Sequence, residues 1–308
     1  MAGVEVVAGD AEVAVAADAQ DRVGLLWRDE IAAGIFAHLD QIDIVQAIAE
    51  DYFHAPRAKR RALRLLAQTM PLDLHGVAMG LASTAPVARQ RLDHMARLVG
   101  EIEPETWSEH LAFVRAGGIE IGHLAAPPHT AQNIEGSIAN IAAAARIVGS
   151  VPLLENIATL IDPPASTMGE AAWTAGIVRG SGTGLLLDLH NLYANALNFG
   201  RDPFALLMQF PLERVQTVHL SGGVWITAPN GQKRLLDDHL HDPPPQVYDL
   251  LTQLARHVPQ ALNVIVERDG HFPAFRILLD QVERARTALQ HGRQLAMEDR
   301  RRHARSAA

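Results

Sequence analysis

The sequence predicts a single parallel (β/α)8 barrel of the α/β class, and three observations lead there. Apolar runs of β type alternate with amphipathic helical stretches, the pattern of repeated strand-helix units. Six of those runs end in a histidine or a carboxylate: Leu74-His75, Ser108-Glu109-His110, Leu154-Glu155, Leu187-Asp188-Leu189-His190, Val218-His219 and Val266-Glu267. In a parallel barrel the strand C-termini converge on one mouth, where residues far apart in sequence meet. No glycine-rich phosphate loop follows the first strand, as a doubly wound sheet would require.

The eight runs read as strands are Val23 to Trp27, Asp43 to Ile48, Leu72 to Gly76, Trp107 to Phe113, Pro152 to Ile157, Gly184 to Asn191, Val215 to Gly222 and Asn263 to Asp269. Helical spacing of apolar residues fills the intervals, as in Pro56 to Gln68, Val87 to Val99, Ile134 to Val148 and Pro244 to His257. Several of these stretches start at a proline, which suits a first helical turn. Residues 1–21, rich in Ala, Val and Asp, read as a flexible leader, residues 22–290 as the barrel, and residues 291–308 as a charged tail with Arg300, Arg301, Arg302 and Arg305.

With 308 residues and 48% hydrophobic content, the chain can bury one large core. A net charge of -8 and a pI near 6.0 provide no basic stripe for a phosphate backbone, which disfavours nucleic acid. There is no cysteine, so disulfides, zinc thiolate sites and a cysteine nucleophile are excluded. Residues before Arg22 carry acids and no positive charge, unlike a secretory signal, and no apolar run spans a bilayer. A cytoplasmic enzyme without membrane contact is the expectation.

Each candidate ligand has a plainer alternative. A histidine at a strand end is often a hydrogen-bonded structural residue, although His75 and His219 run into glycine-containing loops that allow close backbone approach. Glu155 and Glu267 follow fully apolar residues, where a carboxylate needs a cation or a donor network. Their alternative is a salt bridge, with Arg268 the obvious partner. Asp188 and His190, two apart on one strand, would share a face, with Asn191 on the other. The segment from Asp237 to Asp242, including Asp238, His239 and His241, is the densest concentration of ligand atoms, or else a solvated acidic turn. Imidazoles and carboxylates without thiolate suit iron, manganese or zinc, and so many donors imply more than one ion.

The strings LHGVAMGLAS, SEHLAF, LLENIA, LLLDLHNLYANALNFG, VHLSGG, LLDDHLHDPPP and VIVERDG, in this order, resemble those of the multinuclear non-heme iron-dependent oxidative enzymes. The resemblance covers about Val23 to Leu279. It implies a barrel related to xylose isomerase and endonuclease IV with two or three irons, Fe2+ and Fe3+, at its mouth. It further implies O2-dependent modification of a ribosomally synthesised precursor peptide, usually at cysteine, and often a separate partner protein that binds the peptide leader.

Carried over by position, the resemblance implies iron ligation by His75, His110, Glu155, Asp188, His190, His219, Asp237, His239 and Glu267. Glu109, Asn156, Asn191 and Asp269 would then support ligands, and Ser221 would hydrogen-bond to the cluster rather than act as a nucleophile. The chain departs from the pattern at three places: His190 and Gln46 replace the asparagine and glutamate common in relatives, and Gly122 to His129 replaces an acidic, leucine-rich loop. That last stretch, with His123 and His129, is expected to face substrate. Two other readings stay open: a zinc- or manganese-dependent hydrolase or isomerase on the same barrel, and a non-catalytic metal- or peptide-binding protein.

Overall fold

A computed structural model describes residues 20–306, apart from 117 and 228–230. The stretch expected as a leader lies outside the described residues up to 19. The strands are β1 (Arg22–Trp27), β2 (Val45–Ile48), β3 (Leu72–Gly76), β4 (Trp107–His110), β5 (Phe113–Ala116), β6 (Ile119–Ala125), β7 (Leu153–Glu155), β8 (Leu185–Asp188), β9 (Val215–Leu220), β10 (Gly223–Thr227), β11 (Lys233–Asp237) and β12 (Asn263–Val266). Eight of them close a barrel in the order β1-β12-β9-β8-β7-β4-β3-β2, and every pair in it is parallel.

The helices are α1 (Ala32–Ala37), α2 (Glu50–Phe53), α3 (Arg57–Thr69), α4 (Arg89–Ile102), α5 (Ala131–Val148), α6 (Glu170–Ser181), α7 (Leu189–Asn198), α8 (Pro203–Leu207), α9 (Pro245–His257) and α10 (Phe275–Ser306). They bury an apolar layer that includes Leu25, Val45, Leu74, Leu154, Leu187, Val218 and Val266 against the outside of the barrel. Because strand side chains alternate, the residues between these point inward. Leu26, Ile44, Ile48 and Ile265 form a small separate apolar cluster there. The remaining inward positions are mostly polar and buried, Gln46, Asp73, His75, Ser108, His110, Glu155, Asp188, Thr217 and His219, with the apolar Leu153 and Leu186 among them. The barrel closes so tightly at Gly24 that a Cβ there would lie 1.7 Å from the Ile44 carbonyl oxygen.

Five of the eight predicted strands, now β4, β7, β8, β9 and β12, end earlier than the apolar runs suggest, and at β4 and β8 the difference bears on the site. β4 stops at His110, and Phe113 instead opens an antiparallel hairpin with β6, so Gly122 and His123 lie in a strand rather than a loop. β8 stops at Asp188, whose carboxylate accepts the Asn191 N–H at 2.7 Å and caps α7. His190 and Asn191 therefore sit on the first helical turn, and the expectation that Asp188 and His190 share one strand face does not hold. At the C-terminal end, α10 continues through the charged stretch to Ser306. Its Arg293 pairs with Asp21 at 2.7 Å and donates to the Gln260 carbonyl at 2.6 Å, tying this helix to the entry of β1.

Candidate metal centre

Glu155, the last residue of β7, stands at the middle of the barrel mouth and is fully buried. Its Oε2 lies 3.0 Å from His75 Nε2 and 3.2 Å from His110 Nε2, while its Oε1 lies 3.1 Å from His219 Nδ1. The same His219 nitrogen is 2.9 Å from Glu267 Oε2. Two donor sets thus share one carboxylate: His75, His110 and Glu155, then Glu155, Asp188, His219 and Glu267, each set with ligand atoms within 4.8 Å of one another.

A third group, His239, Glu267 and Asp269, adjoins them. His239 Nδ1 is 3.4 Å from Glu267 Oε1 and 3.3 Å from Asp269 Oδ2, and its Nε2 is 2.8 Å from Asp237 Oδ2. His190 Nδ1 reaches Asp237 Oδ1 at 2.7 Å, and Ser221 donates to the same oxygen at 3.3 Å. His239 holds this place with a left-handed backbone, φ 54°, uncommon for a residue with a Cβ. Its N–H donates to the Gly222 carbonyl (3.1 Å) and its own carbonyl accepts the Asp269 N–H (2.9 Å).

The rest of the acidic segment turns elsewhere: Asp238 accepts the Leu240 N–H and faces His241, and Asp242 pairs with Arg268. Arg268 also donates to the Gly270 and His271 carbonyls. It is therefore not the partner of Glu155 or Glu267, and among the described residues neither carboxylate has a lysine or arginine within salt-bridge distance.

Each inward histidine of the first two sets shows one nitrogen to the centre and anchors the other. His75 Nδ1 is 2.7 Å from Ser108 Oγ, His110 Nδ1 is 3.2 Å from the Gly76 carbonyl, and His219 Nε2 is 2.7 Å from Gln46 Oε1. This is how metal-binding imidazoles are oriented. The facing atoms, including both Glu155 oxygens, Asp188 Oδ2, His219 Nδ1, His239 Nε2, His190 Nε2 and Glu267 Oε2, are buried and make no hydrogen bond among the described residues. They approach one another without aligned donors, as ligands directed at common points do. An all-nitrogen and oxygen donor set of this kind fits iron, manganese or zinc.

The electrostatics carry the same demand for cations. Burial raises the Glu155 carboxyl, but the imidazoles of His110, His219 and His75 outweigh it and hold it well below its ordinary value. Glu267 is likewise held low, against burial, by His239 and His219. Asp188 goes the other way: burial, then Asp237 and Glu155, push it well above the usual range. Burial, opposed by Glu155 and reinforced by His75, carries His110 down to about 4. A carboxyl pushed up by burial beside Asp237 and Glu155 is one that a bound cation would stabilise as the anion.

The supporting residues fall into two kinds. Asn156 and Asn191 clamp backbone: Asn156 accepts the Asp188 N–H and donates to its carbonyl, and Asn191 donates to the Asn156 carbonyl. Glu109 points out of the barrel, accepting the His110 and Met79 N–H groups, with burial and then Glu50 raising its carboxyl. Ser108 and Gln46 had no assigned role in the sequence reading; Ser108 is two positions before His110 and so shares its inward face.

His123 is exposed on β6, whereas His129 is buried and stacked on Trp173 with ring centroids 4.7 Å apart. His129 lines a cavity of about 300 Å³ that also reaches Asn156, Glu170, Asn195 and Arg201. The two histidines expected together therefore occupy different places.

Adding ferrous, manganous or zinc ion at about a hundred times its dissociation constant should stabilise the metal-free protein by about 2.7 kcal/mol. We expect the unfolding midpoint to rise by several degrees in calorimetry. Glu155→Gln should remove most of that rise and His123→Ala none of it. A second expectation concerns Glu170, whose carboxyl is pushed up to about 7 by burial although Asn195 Nδ2 donates to it at 3.1 Å. The folded chain then holds this proton more tightly than the unfolded one, so the associated stability is full below the unfolded value of 4.5 and is lost as pH rises through about 7. Glu170→Gln should melt above wild type at pH 8 and level with it at pH 4.

Comparison with known proteins places the chain in a family and a fold. A family model described as "RiPP precursor modification enzyme MbnB/TglH/ChrH" matches residues 22–290. A UPF0276 protein of Streptomyces avermitilis is 35% identical over 265 residues, covering 81% of this chain and 51% of that protein, so the chain spans about half the relative's length. A UPF0276 protein of Anaeromyxobacter sp. is 31% identical over 245 residues, covering 79% and 84%. Among solved structures, D-psicose 3-epimerase from Clostridium cellulolyticum H10 superposes with a TM-score of 0.56 at 11% identity, covering 89% of this chain and 99% of that one. A xylose isomerase domain protein from Planctomyces limnophilus gives 0.51 at 13%, covering 91% and 98%. These two share the xylose-isomerase-like barrel. Matched across its whole barrel, the chain belongs to the RiPP precursor modification enzyme family of MbnB, TglH and ChrH.

Proposed function

We propose that this chain is a multinuclear, iron-dependent enzyme that uses O2 to oxidise a ribosomally synthesised precursor peptide at cysteine. The observation that carries the reading is the pair of donor sets joined by Glu155, made wholly of imidazoles and carboxylates, in a chain of a peptide-modifying family. His75 and His110 with Glu155 would hold one ion, and Asp188, His219 and Glu267 with Glu155 a second. His190, Asp237 and His239, with Asp269 beside them, would complete a third position. Iron bound there would supply redox chemistry with O2 and a Lewis acid for a substrate thiol.

The chain's own groups do the positioning. Ser108, Gly76 and Gln46 fix the imidazoles, and the apolar cluster of Leu26, Ile44, Ile48 and Ile265 packs beside them on the β1, β2 and β12 side of the barrel. No side-chain nucleophile is needed. Lys233, exposed at the end of β11 remote from Asp237, is the sole lysine near a proposed ligand and is not placed as a sugar-isomerase base would be. A separate leader-binding protein and a cytoplasmic setting complete the proposal. Among the described residues no helix is long and apolar enough to cross a membrane.

The test is to load the chain with ferrous ion and incubate it with cysteine-containing peptides encoded beside its own gene, following O2 uptake and peptide mass. We expect peptide-dependent O2 consumption and a mass change confined to the cysteine-bearing fragment, both reduced to background in His75→Ala. Turnover with zinc or manganese and without O2 would establish the hydrolase or isomerase reading instead. Bound metal with no O2 uptake on any peptide would leave a binding protein.

A further inference from the structure

β10 and β11 form a two-stranded antiparallel sheet that departs from the barrel just after His219 and returns to the centre at Asp237. In such a pair, opposed residues alternate between exchanging both backbone hydrogen bonds and turning both groups outward. Leu235 faces Trp225 in this register. The Leu235 N–H donates to Asn198 Oδ1 at 2.7 Å, and its carbonyl accepts from Asn198 Nδ2 at 3.0 Å. Leu235 is therefore an outward-turned position, and so is Trp225 opposite it. By alternation Gly223 and Thr227 are outward too.

The two edges of this hairpin are treated differently. On β11 the side-chain amide of Asn198, from α7, closes the edge as a neighbouring strand would. On β10 no strand among the described residues covers the edge, and Trp225 is 54% exposed. An uncovered strand edge carrying an exposed aromatic residue is a template for another extended backbone.

The side-chain face adds direction. Gly223, Trp225 and Thr227 share one face with Leu235 and Asp237. That face meets the metal centre at its Gly223 end: a Cβ on Gly223 would come 2.7 Å from His190 Cε1, and Asp237 opposite it contacts His190 and His239. A chain laid along β10 would thus project alternate side chains toward the centre.

We propose that the outer edge of β10 is the docking strand for an extended segment of the peptide substrate, which adds as a third strand and is guided along Trp225 to the metals. This rests on the peptide-modifying reading given above. Both ends of the hairpin lie in the centre, so a segment paired here is continuous with the site where it reacts. Main-chain pairing tolerates varied sequence, and pockets for alternate side chains select among them.

The experiment selects short random peptides from a display library on the metal-loaded full chain, then measures their affinity for wild type, Trp225→Ala and Trp225→Pro. Proline removes the outward N–H without touching a ladder bond. We expect Trp225→Pro to weaken binding by about tenfold or more, the worth of one or two backbone hydrogen bonds. Trp225→Ala should weaken it less, and the Trp225 amide should exchange more slowly with deuterium when peptide is bound. N-methylation of the peptide, which leaves the protein intact, should weaken binding at every second residue. Peptides that bind all three proteins equally and tolerate N-methylation throughout would overturn the docking edge while leaving the peptide-modifying reading in place. No peptide binding to wild type at all would remove that reading, and this proposal with it.

Discussion

The centre of this molecule is a carboxylate that the fold cannot keep without positive charge around it. Glu155 is buried at the barrel mouth between the rings of His75, His110 and His219, and no lysine or arginine among the described residues reaches it. Burying an anion this deeply costs several kcal/mol unless a cation or matched donors compensate. Imidazoles that turn one nitrogen toward Glu155, with the opposite nitrogen tied to Ser108, Gly76 or Gln46, are the partial answer in the protein alone when they carry a proton. A pair of metal ions, as the proposed function has it, would be the full one, because each oxygen of Glu155 addresses a different donor set.

The barrel makes that arrangement affordable by separating its two faces. Outward residues of the strands bury hydrocarbon against helices, so most of the apolar core lies outside the barrel and polar groups can occupy the interior. The interior can then be mostly polar, with Leu26, Ile44, Ile48 and Ile265 packed as a small apolar cluster beside the site. The same architecture carries sugar epimerases at identities near a tenth, which shows how freely one barrel accepts different mouths.

Much of this was legible in the residue order, for a physical reason. A charged or imidazole residue after an apolar run, as in Leu154-Glu155 or Val218-His219, marks the point where a strand leaves the core and meets the mouth. The ends of strands were harder. Asp188 caps α7, yet Leu189 and Leu192 continue the apolar run, so hydropathy alone extends the strand across His190 and Asn191. Phe113 belongs to a hairpin for the same reason. Ser108 and Gln46 are neutral polar residues whose meaning comes from the histidine each meets: Ser108 lies beside His75 on the next strand, and Gln46 meets His219 across 173 positions of sequence. The separation of His123 from His129 depends on the turn between them, which no local pattern encodes.

The most direct measurement is anomalous diffraction at the iron edge from crystals of iron-loaded protein. The account predicts at least two peaks flanking Glu155, one against His75 and His110 and the other against His219, Asp188 and Glu267. A single peak away from Glu155, or none with Glu155 in a hydrogen-bonded pair with a neighbouring imidazole, would contradict it.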